Sequence, residues 1–170
     1  MQAHIKSYIK DIIYGANDGI VTTFAVIAGV AGASLAHTTI LIVGFASLFA
    51  DGFSMAASNY LGTKSECDVL EVQGIECEPG RQVKSALYTF FAFILAGLVP
   101  LLPYLFSYSN PSVFRYSVIA TALVLFGVGA MRAVLTRRSF LYSGLERLLV
   151  GGVAATIAYY VGLLIKGFVS

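Results

Sequence analysis

Two acidic residues, Asp18 and Asp51, lie within apolar runs that are long enough to cross a bilayer. An ionised carboxylate inside a membrane must be protonated, paired with a cationic side chain or bound to a cation, because its desolvation is expensive. No Lys or Arg other than Arg132 is expected at a matching depth. The two acids therefore predict a site for a metal ion or a proton.

Each acid belongs to a polar stripe with helical spacing, which places the stripe on one helix face. The stripes are Asp11, Gly15, Asp18 and Thr22 in the first run, and Asp51, Ser54, Met55 and Ser58 in the second. At about 1.5 Å per residue, Asp18 and Met55 both lie about 10 Å from the cytoplasmic end, and Asp51 lies about 16 Å from it. If the stripes face each other, a polar column leads from Glu66 at the cytoplasmic mouth past Ser58 to Asp51.

Carboxylate and hydroxyl oxygens with one thioether suit a first-row divalent metal better than Mg²⁺ or Ca²⁺. A carboxylate must lose its proton before it binds metal, so the same residues can exchange H⁺ for M²⁺. Two plainer interpretations stay open. Asp18 and Asp51 can serve a helix cap and a serine or backbone partner, and Met55 can be ordinary apolar filling.

The composition requires a membrane as solvent for these elements. The chain has 170 residues, of which 58% are hydrophobic and 12% charged, and its mean hydropathy is +0.82. A net charge of +2 without a dense basic stripe argues against nucleic-acid binding. The expected fold is all-α, with one transmembrane domain over residues 1–170 and five spans at about 12–36, 38–62, 85–107, 112–135 and 148–169.

The distribution of Lys and Arg predicts the orientation. Nine of the 11 basic residues fall on one side of the five spans, which the positive-inside rule assigns to the cytoplasm together with the N-terminus. The C-terminus is then on the opposite side. Arg137 and Arg138 are interpreted as positive-inside anchors, and an Asn-Pro step predicts a tight turn at residues 107–111.

Small residues indicate where helices can approach closely, and prolines indicate where a helix is kinked. Gly15 and Gly19 stand at GxxxG spacing, and Gly29 and Ala33 repeat a small-residue pattern. Such faces allow close helix contact, either within one chain or between two copies. Two prolines in the third span, Pro100 and Pro103, predict a kink whose freed carbonyls need partners.

Residues 63–84 are expected to form a short acidic cytoplasmic loop. It contains a mixed set of weak candidate metal ligands, Glu71, Glu76, Cys67 and Cys77. The plainer interpretation is a solvated loop with two free thiols, because the cysteine spacing matches no common zinc motif.

Three segments give the chain a recognisable pattern: YGANDGIVTTFA at residues 14–25, ADGFSMA at 50–56 and GLVPLLPY at 97–104. With NYL at 59–61, KSE at 64–66 and SGLE at 143–146, the sequence resembles the vacuolar iron transporter family nearly from end to end. The resemblance implies a five-helix homodimer that moves Fe²⁺ or Mn²⁺ out of the cytosol by proton antiport. It also implies that Asp18 and Met55 occupy translocation-site positions, and that Asp51 stands where many bacterial-type members have Asp.

Many members of that family carry a long glutamate-rich domain between the second and third spans, for which residues 63–84 are too short.

From the acids and the resemblance together we predict a secondary transporter without a prosthetic group. Its partners would be divalent metal ions, protons, the lipid bilayer and a second copy. It would lie in the cell membrane of a bacterium or archaeon, or in the vacuolar or another organelle membrane of a eukaryote. A passive cation channel and a non-transporting scaffold are the alternatives. Enzyme chemistry ranks last, since no activated nucleophile is evident.

Overall fold

The computed structural model describes residues 2–106, 112–136 and 139–169, with side chains from residue 8 onwards except at 132 and 134–136. The turn predicted at 107–111 and the anchors Arg137 and Arg138 lie outside the described residues. Within them the chain is helical and contains no strand. The elements are α1 (Gln2–Gly32), α2 (His37–Val72), α3 (Arg81–Leu98), a 3₁₀ turn (Val99–Leu101), α4 (Leu102–Phe106), α5 (Val113–Thr136) and α6 (Phe140–Val169).

Five helical segments in the described part are long and apolar enough to cross a bilayer, which confirms the predicted all-α, five-span fold. They are Tyr8–Gly32, His37–Val72, Arg81–Phe106, Val113–Met131 and Phe140–Val169. The third segment combines α3, the 3₁₀ turn and α4.

The helices extend beyond the spans that hydropathy predicts. Residues 63–72 were expected in a loop but continue α2, so that only residues 73–80 connect it to α3. With 36 residues, α2 is about 54 Å long, against a hydrocarbon core of about 30 Å. Hydropathy marks where the apolar environment ends, whereas the backbone hydrogen bonds of a helix continue in water.

Helix α1 packs against α3 through glycines. A Cβ at Gly15 would meet the Thr89 carbonyl oxygen at 2.5 Å, and a Cβ at Gly19 would lie 2.9 Å from two backbone atoms of Phe93. The Gly15/Gly19 pair is therefore an intramolecular contact. The second small-residue face of α1 serves the same purpose against α6, where Gly162 faces Gly29.

The main apolar core lies between α1, α2 and the third span. Its fully buried side chains include Ile27 of α1, Leu48 of α2, Phe93 of α3 and Tyr104 of α4. Close backbone contact at the glycines leaves these larger side chains to fill the remaining space.

The predicted kink in the third span is confirmed as the 3₁₀ turn at Val99–Leu101. Pro100 has no N–H, so the α-helical hydrogen-bond ladder cannot pass through it. The hydroxyl of Ser117 on α5 donates a hydrogen bond of 2.7 Å to the Pro100 carbonyl oxygen. The kink is thus held by the neighbouring helix.

Replacing Ser117 with alanine is expected to destabilise the fold by about 1–3 kcal/mol, because a buried carbonyl loses its donor. Thr156→Ala is the matched control. The Thr156 hydroxyl is exposed and donates a bond of the same length, 2.7 Å, to Gly152 within its own helix. Unfolding in detergent, followed by circular dichroism, should separate the two variants. Equal stability would contradict this role for Ser117.

Candidate functional site

Asp18 and Asp51 lie close enough to interact electrostatically. Asp18 is half-buried on α1, and Asp51 is exposed on α2. The Ser47 hydroxyl, one turn before Asp51, donates a hydrogen bond of 2.5 Å to its carboxylate. Two acids of like charge on two spanning helices therefore lie within range of each other's electrostatic field. The side chain of Arg132, the one cationic group considered for this depth, lies outside the described residues.

Asn17 adds a buried oxygen in the same turn of α1. Its Oδ1 atom has no hydrogen-bond partner among the described residues. Because buried polar atoms are nearly always satisfied, such an atom marks a place for a further polar group, water or ion. Asn17 is not among the predicted site residues, although its position beside Asp18 is a signal.

Met55 is half-buried and packs against the main apolar core, one helical turn from Asp51. The packing agrees with the plainer interpretation of this residue as apolar filling. Its role as a thioether ligand stays a prediction.

The rest of the α2 stripe is open to the surroundings of the protomer. Ser54 and Ser58 are exposed, like Asp51 itself. A carboxylate and hydroxyls on the outer face of a spanning helix are costly against lipid. Something other than acyl chains must therefore cover this face.

The two polar stripes do not face each other along their whole length, and to that extent the predicted column is wrong. They meet at Asp18 and Asp51, but Gly15 lies against α3. Asp11 also turns to α3, where its buried carboxylate accepts a hydrogen bond of 2.5 Å from the Ser85 hydroxyl. The close α1–α3 approach at the glycines places α3 beside this end of the stripe.

A polar cluster surrounds Asp11 and joins three helices. The Asn59 amide nitrogen of α2 donates to Ser85 Oγ at 3.0 Å and to Thr89 Oγ1 at 2.6 Å. Thr63 Oγ1 donates to Ser85 Oγ at 3.3 Å, and the Ser85 hydroxyl in turn donates to the Asp11 carboxylate. Sequence reasoning missed this cluster, although Ser85 and Thr89 stand one helical turn apart on α3.

Charged side chains pair at the same end of the molecule. Glu66, predicted at the mouth of the column, forms an ion pair of 3.0 Å with Arg81 at the start of α3. Glu78 accepts from Lys84 at 2.7 Å and from the Tyr8 hydroxyl at 3.1 Å. These contacts tie the connection 73–80 to α1 and α3.

Cys67 and Cys77 form a disulfide, so the prediction of thiol ligands in this segment is wrong for the structure described. The two cysteines come together because α2 continues to Val72 and the connection turns back along it. Glu71 and Glu76 are exposed. Among the described residues, no group of three or more His, Cys, Asp or Glu side chains is placed to hold a metal ion.

A known family profile matches most of the chain. The profile of the VIT family matches residues 9–76 and 71–163. The chain belongs to the VIT family. The match is divided at residues 71–76, where α2 ends.

Relatives of this VIT-family chain carry transporter names. "Vacuolar iron transporter" of Centaurea cyanus is 26% identical over 208 aligned residues, covering 89% of this chain and 85% of the relative. "Vacuolar iron transporter 1" of Eucalyptus grandis is 26% identical, covering 93% and 87%. "Vacuolar iron transporter" of Toxoplasma gondii is 41% identical over 68 residues, which is 40% of this chain and 22% of the relative. An alignment longer than the 170-residue chain means that the relative has segments absent here.

Proposed function

We propose that this VIT-family protein exports Fe²⁺, and Mn²⁺ by the same ligand chemistry, from the cytosol by exchange for protons. The observation that carries the proposal is the pair of carboxylates, Asp18 and Asp51, which lie on two spanning helices within range of electrostatic interaction. The names of the relatives support metal transport as the general activity.

A divalent cation fits this pair because its charge offsets the repulsion between two carboxylates. The half-buried Met55 thioether, one turn from Asp51, adds a soft ligand that favours first-row transition metals over Mg²⁺. When the metal leaves, a proton can take its place on a carboxylate, since an ionised acid in the membrane needs a counter-charge. Each carboxylate can therefore bind the metal ion and a proton in turn.

We further propose that the active unit is a homodimer whose interface covers the exposed stripe Asp51, Ser54 and Ser58. Lipid is an unfavourable neighbour for these groups, whereas the same stripe on a second copy is polar. A twofold axis along the stripe would double the carboxylates around the path from two to four. That arrangement supplies the ligands that one protomer lacks among its described residues.

Reconstitution in liposomes with a metal-quenched dye inside tests the transport proposal. Fe²⁺ and Mn²⁺ should quench the dye only when the protein is present, and an acidic lumen should increase the initial rate severalfold. Metal flux that ignores the pH gradient would contradict antiport and indicate a passive channel. Absence of flux under all gradients would contradict transport and favour the scaffold.

A further inference from the structure

The disulfide between Cys67 and Cys77 lies between the ion pairs at the mouth of the proposed path. Cys67 directly follows Glu66, which pairs with Arg81, and Cys77 directly precedes Glu78, which pairs with Lys84. The Cα atoms of the two cysteines are 5.4 Å apart, within the usual range for a disulfide. The bond therefore fastens the connection 73–80 to the last turns of α2.

The predicted orientation places this segment in the cytoplasm, where thiols are normally kept reduced and disulfides are mostly transient or redox-sensing. A disulfide and a cytoplasmic position are compatible when the bond forms and breaks under control. We propose that Cys67 and Cys77 are a reversible thiol–disulfide site that slows metal transport when it is oxidised. This inference rests on the transport function proposed above.

The oxidant proposed for the two thiols is a small disulfide of the glutathione type. Cys77 is half-buried, whereas Cys67 is 7% exposed, so Cys77 reacts first. Its thiolate attacks the small disulfide, forms a mixed disulfide and releases one thiol. The Cys67 thiolate then displaces the second small thiol. In total two protein thiols lose two protons and two electrons, and one small disulfide becomes two thiols.

The link to transport runs through Glu66. Only three residues lie between Cys77 and Arg81, so fastening Cys77 to α2 also holds the Arg81 guanidinium near the Glu66 carboxylate. An incoming cation must then displace Arg81 before it reaches that carboxylate. Reduction releases the connection from α2. The connection contains Gly74 and Gly80, whose φ values of 75° and 72° are ones that other residues rarely adopt, and glycine has more backbone conformations available than other residues. Glu66 becomes easier to reach.

The test compares the reconstituted parent after treatment with glutathione disulfide and after dithiothreitol. The reduced protein should take up Fe²⁺ at least about threefold faster, and alkylation followed by mass spectrometry should find two free thiols in it and none in the oxidised protein. Amide hydrogen exchange at residues 73–80 should also be faster after reduction. Equal, nonzero rates in the two states would overturn the switch and leave the transport proposal intact, whereas zero flux in both states would overturn both.

Two variants separate the bond from its consequence. The double variant Cys67→Ser, Cys77→Ser should transport at the reduced parental rate under both treatments. Arg81→Gln should still form the disulfide but lose the rate difference, since Glu66 no longer has its partner. A rate difference that survives in the double variant would overturn the assignment to these cysteines. If that variant does not fold, the parental rates and hydrogen exchange decide alone.

Discussion

Asp18→Asn is expected to reduce metal uptake about 30-fold or more, because the variant keeps the shape of the side chain and removes its negative charge. Losing one charged ligand is expected to weaken the hold on the cation by about 2 kcal/mol or more, and about 1.4 kcal/mol corresponds to a factor of ten. Initial rates of Fe²⁺ entry into liposomes, at equal amounts of folded protein, measure the effect.

Asp68→Asn is the matched control for Asp18→Asn. Asp68 is an exposed acid near the aqueous end of α2, so its variant changes the net charge by the same amount outside the membrane. It should transport at nearly the parental rate. Parental uptake by Asp18→Asn would remove the carboxylate pair from the mechanism, and equal loss in both variants would indicate an effect of net charge alone.

The second large effect concerns the fold: Gly19→Ala should destabilise the protein by about 3 kcal/mol or more. Overpacking of a close-packed interior typically costs about 1–3 kcal/mol. Here the three nearest neighbours of the added Cβ are backbone atoms of Phe93, which cannot rotate away as a side chain can. Helices α1 and α3 would have to separate.

Gly127→Ala provides the comparison, since a Cβ at this helical position meets no atom within 4 Å. Its alanine should be neutral or slightly stabilising, because alanine favours a helix over glycine by about 1 kcal/mol. Size-exclusion chromatography after stepwise heating gives the apparent melting temperature of both variants. If Gly19→Ala has the same apparent melting temperature as the parent, the α1–α3 contact is looser than described.

Hydropathy and spacing were sufficient to predict the five spans and the kink at Pro100. Helical periodicity defines which residues share a face, but it does not say which neighbour that face meets. Asp11 and Gly15 share a face with Asp18, yet they lie against α3. The glycines determine which helix packs against this face, because they allow α3 to approach closely. Their spacing in the sequence predicts a close contact but does not identify the partner helix.

The disulfide illustrates a second limit of sequence reasoning. Ten positions separate Cys67 from Cys77, and that number does not predict a distance unless the path of the chain is known. If residues 63–84 were a free loop, the cysteines would be mobile relative to each other. Continuation of α2 to Val72 makes one of them rigid and lets the connection return to it.

The packing of α1 also has a consequence for biosynthesis. Its Gly15/Gly19 face needs α3, and its Gly29 face needs Gly162, near the end of the chain. While the protein is being made, α1 enters the membrane with both faces uncovered, and the second face stays uncovered until α6 has been synthesised. Helix α1 therefore reaches its final environment only after α6 has entered the membrane, and a nascent chain that stalls before α6 exposes a glycine groove to any other helix in the bilayer.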